Sequence, residues 1–340
     1  MKAVTCEQID AFLRSATAEF DVRVPVALPD GTRVLGRPEE GPLALLGGAL
    51  AGKPTAVFLP QVETMLTYRQ GLIEMQRPPQ KPLLVVGLTA QDADALEFID
   101  RFFADHFRDD AYFARRSGAV VAVVSGRCGP DGEFLRMAGG KCDFELVADG
   151  RRFVAVPYSD VGKQLCRRMP GRATASLDEL RRESDALSTE FADTIRRAAQ
   201  LLQEDRVPGE FWREIADRCI GCTACNLVCP TCTCFDVYDW KCGQRVERHR
   251  TWDSCQLGGF MREAGGRNPL GTEDSRARRR ICHKLVADPQ RWGAITCFLC
   301  GRCDDVCPTG IGIEAVSREI VKRYGGSRLP AEAEVLHAHV

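Results

Sequence analysis

Two stretches of the chain carry one spacing: Cys219-Ile220-Gly221-Cys222-Thr223-Ala224-Cys225-Asn226-Leu227-Val228-Cys229-Pro230, and Cys297-Phe298-Leu299-Cys300-Gly301-Arg302-Cys303-Asp304-Asp305-Val306-Cys307-Pro308. Each reads Cys-x2-Cys-x2-Cys-x3-Cys-Pro. Three thiolates that must reach three corners of one small cube come most simply from one tight loop, and the fourth corner is then supplied from a distance. The repeat therefore points to two 4Fe–4S clusters. Gly221 and Gly301 let the loops bend closely around sulfur, and Pro230 and Pro308 turn the chain away after the last cysteine. Structural zinc uses two Cys pairs set further apart, and a thioredoxin-type pair needs one CxxC on a βαβ unit, so neither explains two crowded triplets.

In two-cluster ferredoxins the last cysteine of each run ligates the other cluster. That rule assigns Cys219, Cys222, Cys225 and Cys307 to one cluster, and Cys297, Cys300, Cys303 and Cys229 to the second. The segment between the runs, Pro230 to Thr296, holds 67 residues and five more cysteines. Cys232, Cys234, Cys255 and either Cys282 or His283 form a candidate third iron site, since thiolate and imidazole both bind iron. The competing reading is that these are small buried residues near the clusters.

Thirteen of the seventeen cysteines lie between Cys219 and Cys307, which points to a reducing cytoplasm and metal ligation rather than disulfides. The net charge of −1 gives no electrostatic case for nucleic acid. Basic runs such as Arg278-Arg279-Arg280 read as solvated or partner-facing. No stretch of about 18 apolar residues suggests a membrane span, and the opening Met1-Lys2-Ala3-Val4-Thr5 lacks the apolar core of a signal peptide.

With 340 residues the chain has room for about two domains. Thr5-x-x-Gln8 reads as a capping box opening a helix whose Ile9, Phe12, Leu13 and Ala16 share one face. Strands are expected at Phe20–Leu28, Thr32–Leu35, Thr55–Leu59, Leu83–Leu88 and Ala119–Val124, with a hairpin from Phe144–Val147 to Phe153–Val156 across Asp149-Gly150. Asp92–Phe107 has helical spacing. A linker helix is expected from Leu177 to about Gln203, with Leu180, Ser184, Leu187, Phe191, Ile195, Ala198 and Leu202 as its seam. Shorter helices are expected at Glu210–Asp217, Ser275–Val286 and Ile313–Tyr324, the last stopped by Gly325-Gly326. The fold class is α+β: an N-terminal mixed α/β domain (1–165), a linker helix (166–207), an α-helical ferredoxin-type two-cluster domain (208–326) and a flexible tail (327–340).

The segments Cys219–Asp236, Arg250–Cys255, Ala264-Gly265-Gly266-Arg267-Asn268 and Cys297–Gly310 resemble the iron–sulfur β subunit of cytoplasmic sulfhydrogenases, and equally the A subunit of anaerobic sulfite reductase. Phe58-Leu59-Pro60-Gln61-x-Glu63, Gly87-Leu88-Thr89-Ala90-Gln91-Asp92 and Asp109-Asp110-Ala111-Tyr112-Phe113-Ala114-Arg115-Arg116 extend the resemblance into the N-terminal part. One departure matters. The family has a cysteine where this chain has Gln91, and a Cys-Phe-Cys where this chain has Gly129-Pro130-Asp131-Gly132-Glu133 after Cys128. The resemblance therefore implies no N-terminal cluster, and the first domain is expected to be a docking scaffold.

Gly47-Gly48 and Gly139-Gly140 lack a dinucleotide-binding context, and five dispersed histidines suggest no nucleophile–base pair, so no catalytic residue is assigned. The expected function is electron transfer. By resemblance, two clusters relay electrons between a flavin/NAD(P)H subunit and a hydrogenase-like or sulfite-reductase-like catalytic subunit. The alternative is a stand-alone reductase whose third iron–sulfur site binds substrate.

Overall fold

The computed structural model describes residues 1–75, 80–150, 152–173, 177–187 and 190–326. The tail from Ser327, expected above to be flexible, lies outside these residues. The chain divides into two compact units, one of Met1–Pro60, Thr64–Leu187 and Trp240–Glu247, the other of Gln61–Glu63, Ser188–Asp239 and Arg248–Val340. The C-terminal expectation of helices and the N-terminal expectation of mixed α/β structure both hold.

From Met1 to Leu187 the elements are β1 (Lys2–Thr5), α1 (Cys6–Ala16), β2 (Asp21–Ala27), β3 (Arg33–Gly36), β4 (Val62–Arg69), β5 (Leu72–Met75), β6 (Leu83–Leu88), α2 (Ala90–Ala104), α3 (Asp110–Arg116), β7 (Val120–Arg127), β8 (Phe134–Leu135), β9 (Phe144–Asp149), β10 (Arg152–Pro157), α4 (Asp160–Arg168), β11 (Arg172–Ala173) and α5 (Asp178–Asp185). One sheet runs β11-β1-β10-β9-β7-β6-β2-β3, with β8 beside β7. Its centre, β2, β6, β7 and β9, is parallel, and the edges are antiparallel. Every residue of β6 is buried, as in a parallel strand covered on both faces. The capping box at Thr5 and Gln8 forms as expected.

Two expectations are corrected. Thr55–Leu59 is not a strand: Pro54–Val57 makes a short 3-10 turn, because Pro54 presets a helical φ at its first position. The single linker helix is two helices, α5 and α6 (Glu190–Gln203), and their apolar residues enter different cores. Leu177 and Leu180 pack with Val147, Val154 and Val156, whereas Ile195, Ala198 and Leu202 pack with Phe211, Trp212, Ile281 and Ile320.

The N-terminal motifs that carry the resemblance have structural work. Thr89 and Asp92 form a second capping box at the start of α2, and Asp109 accepts from the Tyr112 amide at the start of α3. The Tyr112 ring stacks on Phe103 at 4.6 Å and meets Phe58 edge-on at 6.4 Å.

After α6 the chain continues with α7 (Gly209–Arg218), α8 (Ala224–Leu227), β12 (Phe235–Cys242), β13 (Arg245–Trp252), α9 (Glu273–Cys282), a π-helical turn at His283–Ala287, α10 (Asp288–Trp292), α11 (Arg302–Asp305) and α12 (Ile313–Tyr324). Buried residues of α6, α7, α9 and α12 make the core of the second unit, and Cys219, Cys297, Cys303 and Cys307 pack against it. Sequence reading missed the hairpin β12–β13, since all of β12 is exposed and no buried face marks it. Its signal was Gly243, which supplies the left-handed turn residue at φ 60°.

At the base of the hairpin the Trp252 amide donates to the Gln61 carbonyl, and Arg250 Nε donates to Glu63 Oε1 at 2.6 Å. Both charged residues are buried, at 3 % and 4 % exposure. Glu63→Ala removes the buried carboxylate paired with Arg250, so the variant is expected to lose about 3–5 kcal/mol in chemical denaturation. A loss below about 1 kcal/mol, the range of a surface pair, would show that the ion pair is not important to this unit.

Candidate metal centre

The two cysteine loops share one backbone. In each, the second and fourth residues after the first cysteine are left-handed: Gly221 (φ 68°) and Thr223 (φ 61°) in one, Leu299 (φ 61°) and Gly301 (φ 75°) in the other. Thr223 and Leu299 hold this conformation without glycine, at a cost of order 1–3 kcal/mol each. Alternation of this kind turns successive N–H groups toward one concavity, the anion-binding nest of many iron–sulfur loops. Sequence reading found the glycines and missed their non-glycine counterparts. Each loop then enters a four-residue helix, α8 or α11, and these two helices pack on each other.

One cavity is walled by Cys219, Cys222, Cys225 and Cys307 with Ile215, Ala277, Ile281 and Val316. A second is walled by Cys229, Cys297, Cys300 and Cys303 with Phe191, Phe298 and Ile313. The last cysteine of each run thus lies with the first three of the other. Cys225 and Arg280 line both cavities, so the two abut. Among the described residues no three His, Cys, Asp or Glu side chains converge as on a single ion. The thiols surround a space. Four sulfurs, an apolar wall and a neighbouring cation are the surroundings that suit a 4Fe–4S cluster.

The last cysteines have matching neighbours. Cys229 Sγ lies 3.4 Å from Thr231 Oγ1, and Cys307 Sγ lies 3.5 Å from Thr309 Oγ1 and accepts from the Ile311 amide at 3.4 Å. A hydrogen bond from Cys232 holds the Cys229 thiol well below its ordinary value; burial opposes this, and Lys284 and Thr231 assist it. Burial pushes the Cys303 thiol up to about 12 and raises Cys225 and Cys297 as well. Iron, which takes cysteine as thiolate, would displace protons from these three.

The residues of the candidate third site are grouped in part: Cys234 and Cys255 hydrogen-bond to each other, and His283 is near enough for its charge to act on Cys255. Cys232 lines the second cavity beside Cys229. Cys255 is held down to about 5 by a hydrogen bond from Cys234, with Asn226, Gln256 and the charge of His283 adding to it against burial. His283 Nε2 pairs with Asp288 Oδ1 at 3.1 Å. Cys282 lines a separate open cavity with Arg278 and Arg279. In the first unit Cys128, Cys142 and Cys166 sit in apolar clusters, and burial raises all three thiols.

The basic run divides, which corrects its uniform reading as solvated or partner-facing. Arg280 faces both cavities, and burial, which would lower its pKa, is outweighed by Cys225, Cys303, Cys232 and Cys229. Lys284, one turn on, lines the second cavity alone and escaped sequence reading. Its signal was the helical spacing from Arg280.

Residues 218–311 match the 4Fe-4S dicluster domain family. Over 278 residues, 76% of this chain and 81% of the other, the sequence is 26% identical to the sulfhydrogenase 2 subunit beta of Pyrococcus furiosus. No solved structure matches. The C-terminal region carries a 4Fe-4S dicluster domain, and the resemblance to a sulfhydrogenase β subunit extends over most of the chain. Among the described residues no helix is long and apolar enough to cross a membrane.

Proposed function

We propose that this chain is the electron-transfer subunit of a sulfhydrogenase-like oxidoreductase and relays electrons through two adjacent 4Fe–4S clusters. The supporting observation is the pair of abutting cavities, each lined by three cysteines of one run and the last cysteine of the other. Cys219, Cys222, Cys225 and Cys307 would hold the first cluster, and Cys297, Cys300, Cys303 and Cys229 the second. When bound, each supplies a one-electron carrier whose potential depends on charge, hydrogen bonds to sulfur and exposure.

The protein residues shape that relay. The apolar walls exclude water, left-handed loop residues of this kind suit an anion-binding nest, and Arg280 offsets negative charge on both sides. Cys222 and its neighbour Ile220 are exposed, which makes the rim of the first cavity the natural point of exchange with a partner. The partners proposed are a flavin/NAD(P)H subunit and a hydrogenase-like catalytic subunit in a cytoplasmic complex.

Iron and acid-labile sulfide analysis of anaerobically purified protein should give about eight of each per chain, two cubanes of four. Zinc in place of iron would end the reading. Co-purification from the native host should bring a flavoprotein with the chain. Turnover of a substrate by the isolated chain with an artificial electron donor would favour a stand-alone reductase instead.

A further inference from the structure

The helix beside both cavities carries two cations, Arg280 half-buried and Lys284 buried, and their placement is unequal. Arg280 and Lys284 are four residues apart and so share one helix face. Arg280 borders both cavities, and Lys284 borders only the second. Lys284 stands where α9 widens into the π-helical turn His283–Ala287, a distortion that recurs at functional sites. Its side chain is buried, Nζ donates to Thr231 Oγ1 at 2.5 Å, and that hydroxyl donates to the Thr296 carbonyl at 2.9 Å. The same oxygen lies 3.4 Å from Cys229 Sγ, so one hydroxyl separates the cation from a cysteine of the second set.

The anions nearby are already engaged. Asp288 is held by His283 and by the Thr296 hydroxyl. Asp304, 3.5 Å from Cys303 Sγ, accepts from the Glu314 and Ala315 amides at the N-terminus of α12, where the helix dipole offsets its charge. At the first cavity the residue corresponding to Asp304 is the neutral Asn226, and among the described lining residues Arg280 is the one cation. In lining cations the cavities therefore differ by Lys284.

Reduction adds one negative charge to a thiolate-bound cluster, and a buried cation close to it stabilises the reduced form. Resting on the reading that each cavity holds a cluster, we propose that Lys284 sets the reduction potential of the second cluster above that of the first. A single electron entering the pair then settles beside Cys297, Cys300 and Cys303. Lys284 acts here as a positioning charge and takes no part in any bond.

The test is a redox titration of the full-length, iron-loaded chain, followed by electron paramagnetic resonance, with the clusters assigned through Cys222→Ser. Lys284→Gln removes the charge and keeps a donor for Thr231. Its expected effect is at least a tenfold fall in the reduced-to-oxidised ratio of the second cluster at a fixed poise, 59 mV for a one-electron couple, with a smaller change at the first. Lys284→Arg should restore most of the shift, and Arg280→Met should lower both midpoints. Wild-type chain without stoichiometric iron would refute the two-cluster reading itself. Full iron with unmoved midpoints in Lys284→Gln, or a larger shift at the first cluster, would overturn this proposal alone. Loss of the second cluster's iron in both Lys284→Gln and Lys284→Met would also overturn it, by assigning Lys284 a structural role.

Discussion

Cys229→Ser is expected to abolish the cluster of Cys297, Cys300 and Cys303 and to spare that of Cys219, Cys222, Cys225 and Cys307. Iron should fall from about eight to about four per chain, and the surviving signal should belong to the run that contains the mutation. Cys307→Ser should do the reverse. The expectation rests on the cavity walls, which place Cys229 with the second triplet and Cys307 with the first. A sequence-local pairing predicts the opposite pattern, because each run would then supply all four ligands of its own cluster. Spectra in which Cys229→Ser removes the cluster of Cys219, Cys222 and Cys225 would rule out the crossed assignment.

Removing iron should unfold much of the second unit while the first keeps its structure. The core of the second unit, from Ile195 through Phe211 and Trp212 to Ile320, packs directly against Cys219, Cys297, Cys303 and Cys307. Emptying the cavities leaves that core with four inward-facing thiols and two cations, Arg280 and Lys284, deprived of the charge they offset. Metal binding of this kind is folding free energy. The first unit buries Phe12, Leu84, Val86, Phe144, Phe153 and their neighbours in an apolar core of its own. Hydrogen exchange after oxidative chelation should therefore accelerate about 100-fold or more in α6, α7 and α12, about 2.7 kcal/mol of protection at about 1.36 kcal/mol per tenfold, with little change in β6 and β7. Equal loss in both sets, or none in the helices, would contradict it.

The cysteine triplets and the class of the fold were legible in the sequence alone, because three cysteines on one loop are a local feature. Spacing, glycine and proline record it directly. The helices Gly209–Arg218 and Ile313–Tyr324 and the strand Leu83–Leu88 were legible for a similar reason, since hydrophobic periodicity reports one buried face or two. The hairpin Phe235–Trp252 was hidden because β12 lies exposed throughout, so burial left no alternation in it to read.

Three things were decided only when the chain folded. Leu180 and Ile195 continue one helical pattern in the sequence, yet they enter separate cores because the chain leaves helix α5 at Ala186. Thr223 and Leu299 adopt the glycine conformation although their own residue types disfavour it, so the surrounding fold imposes it. The charges of Arg280 and Lys284 look like any basic helix face. Whether a cation meets water or a thiolate depends on segments tens of residues away, and low dielectric around the cavities turns that contact into a large electrostatic effect.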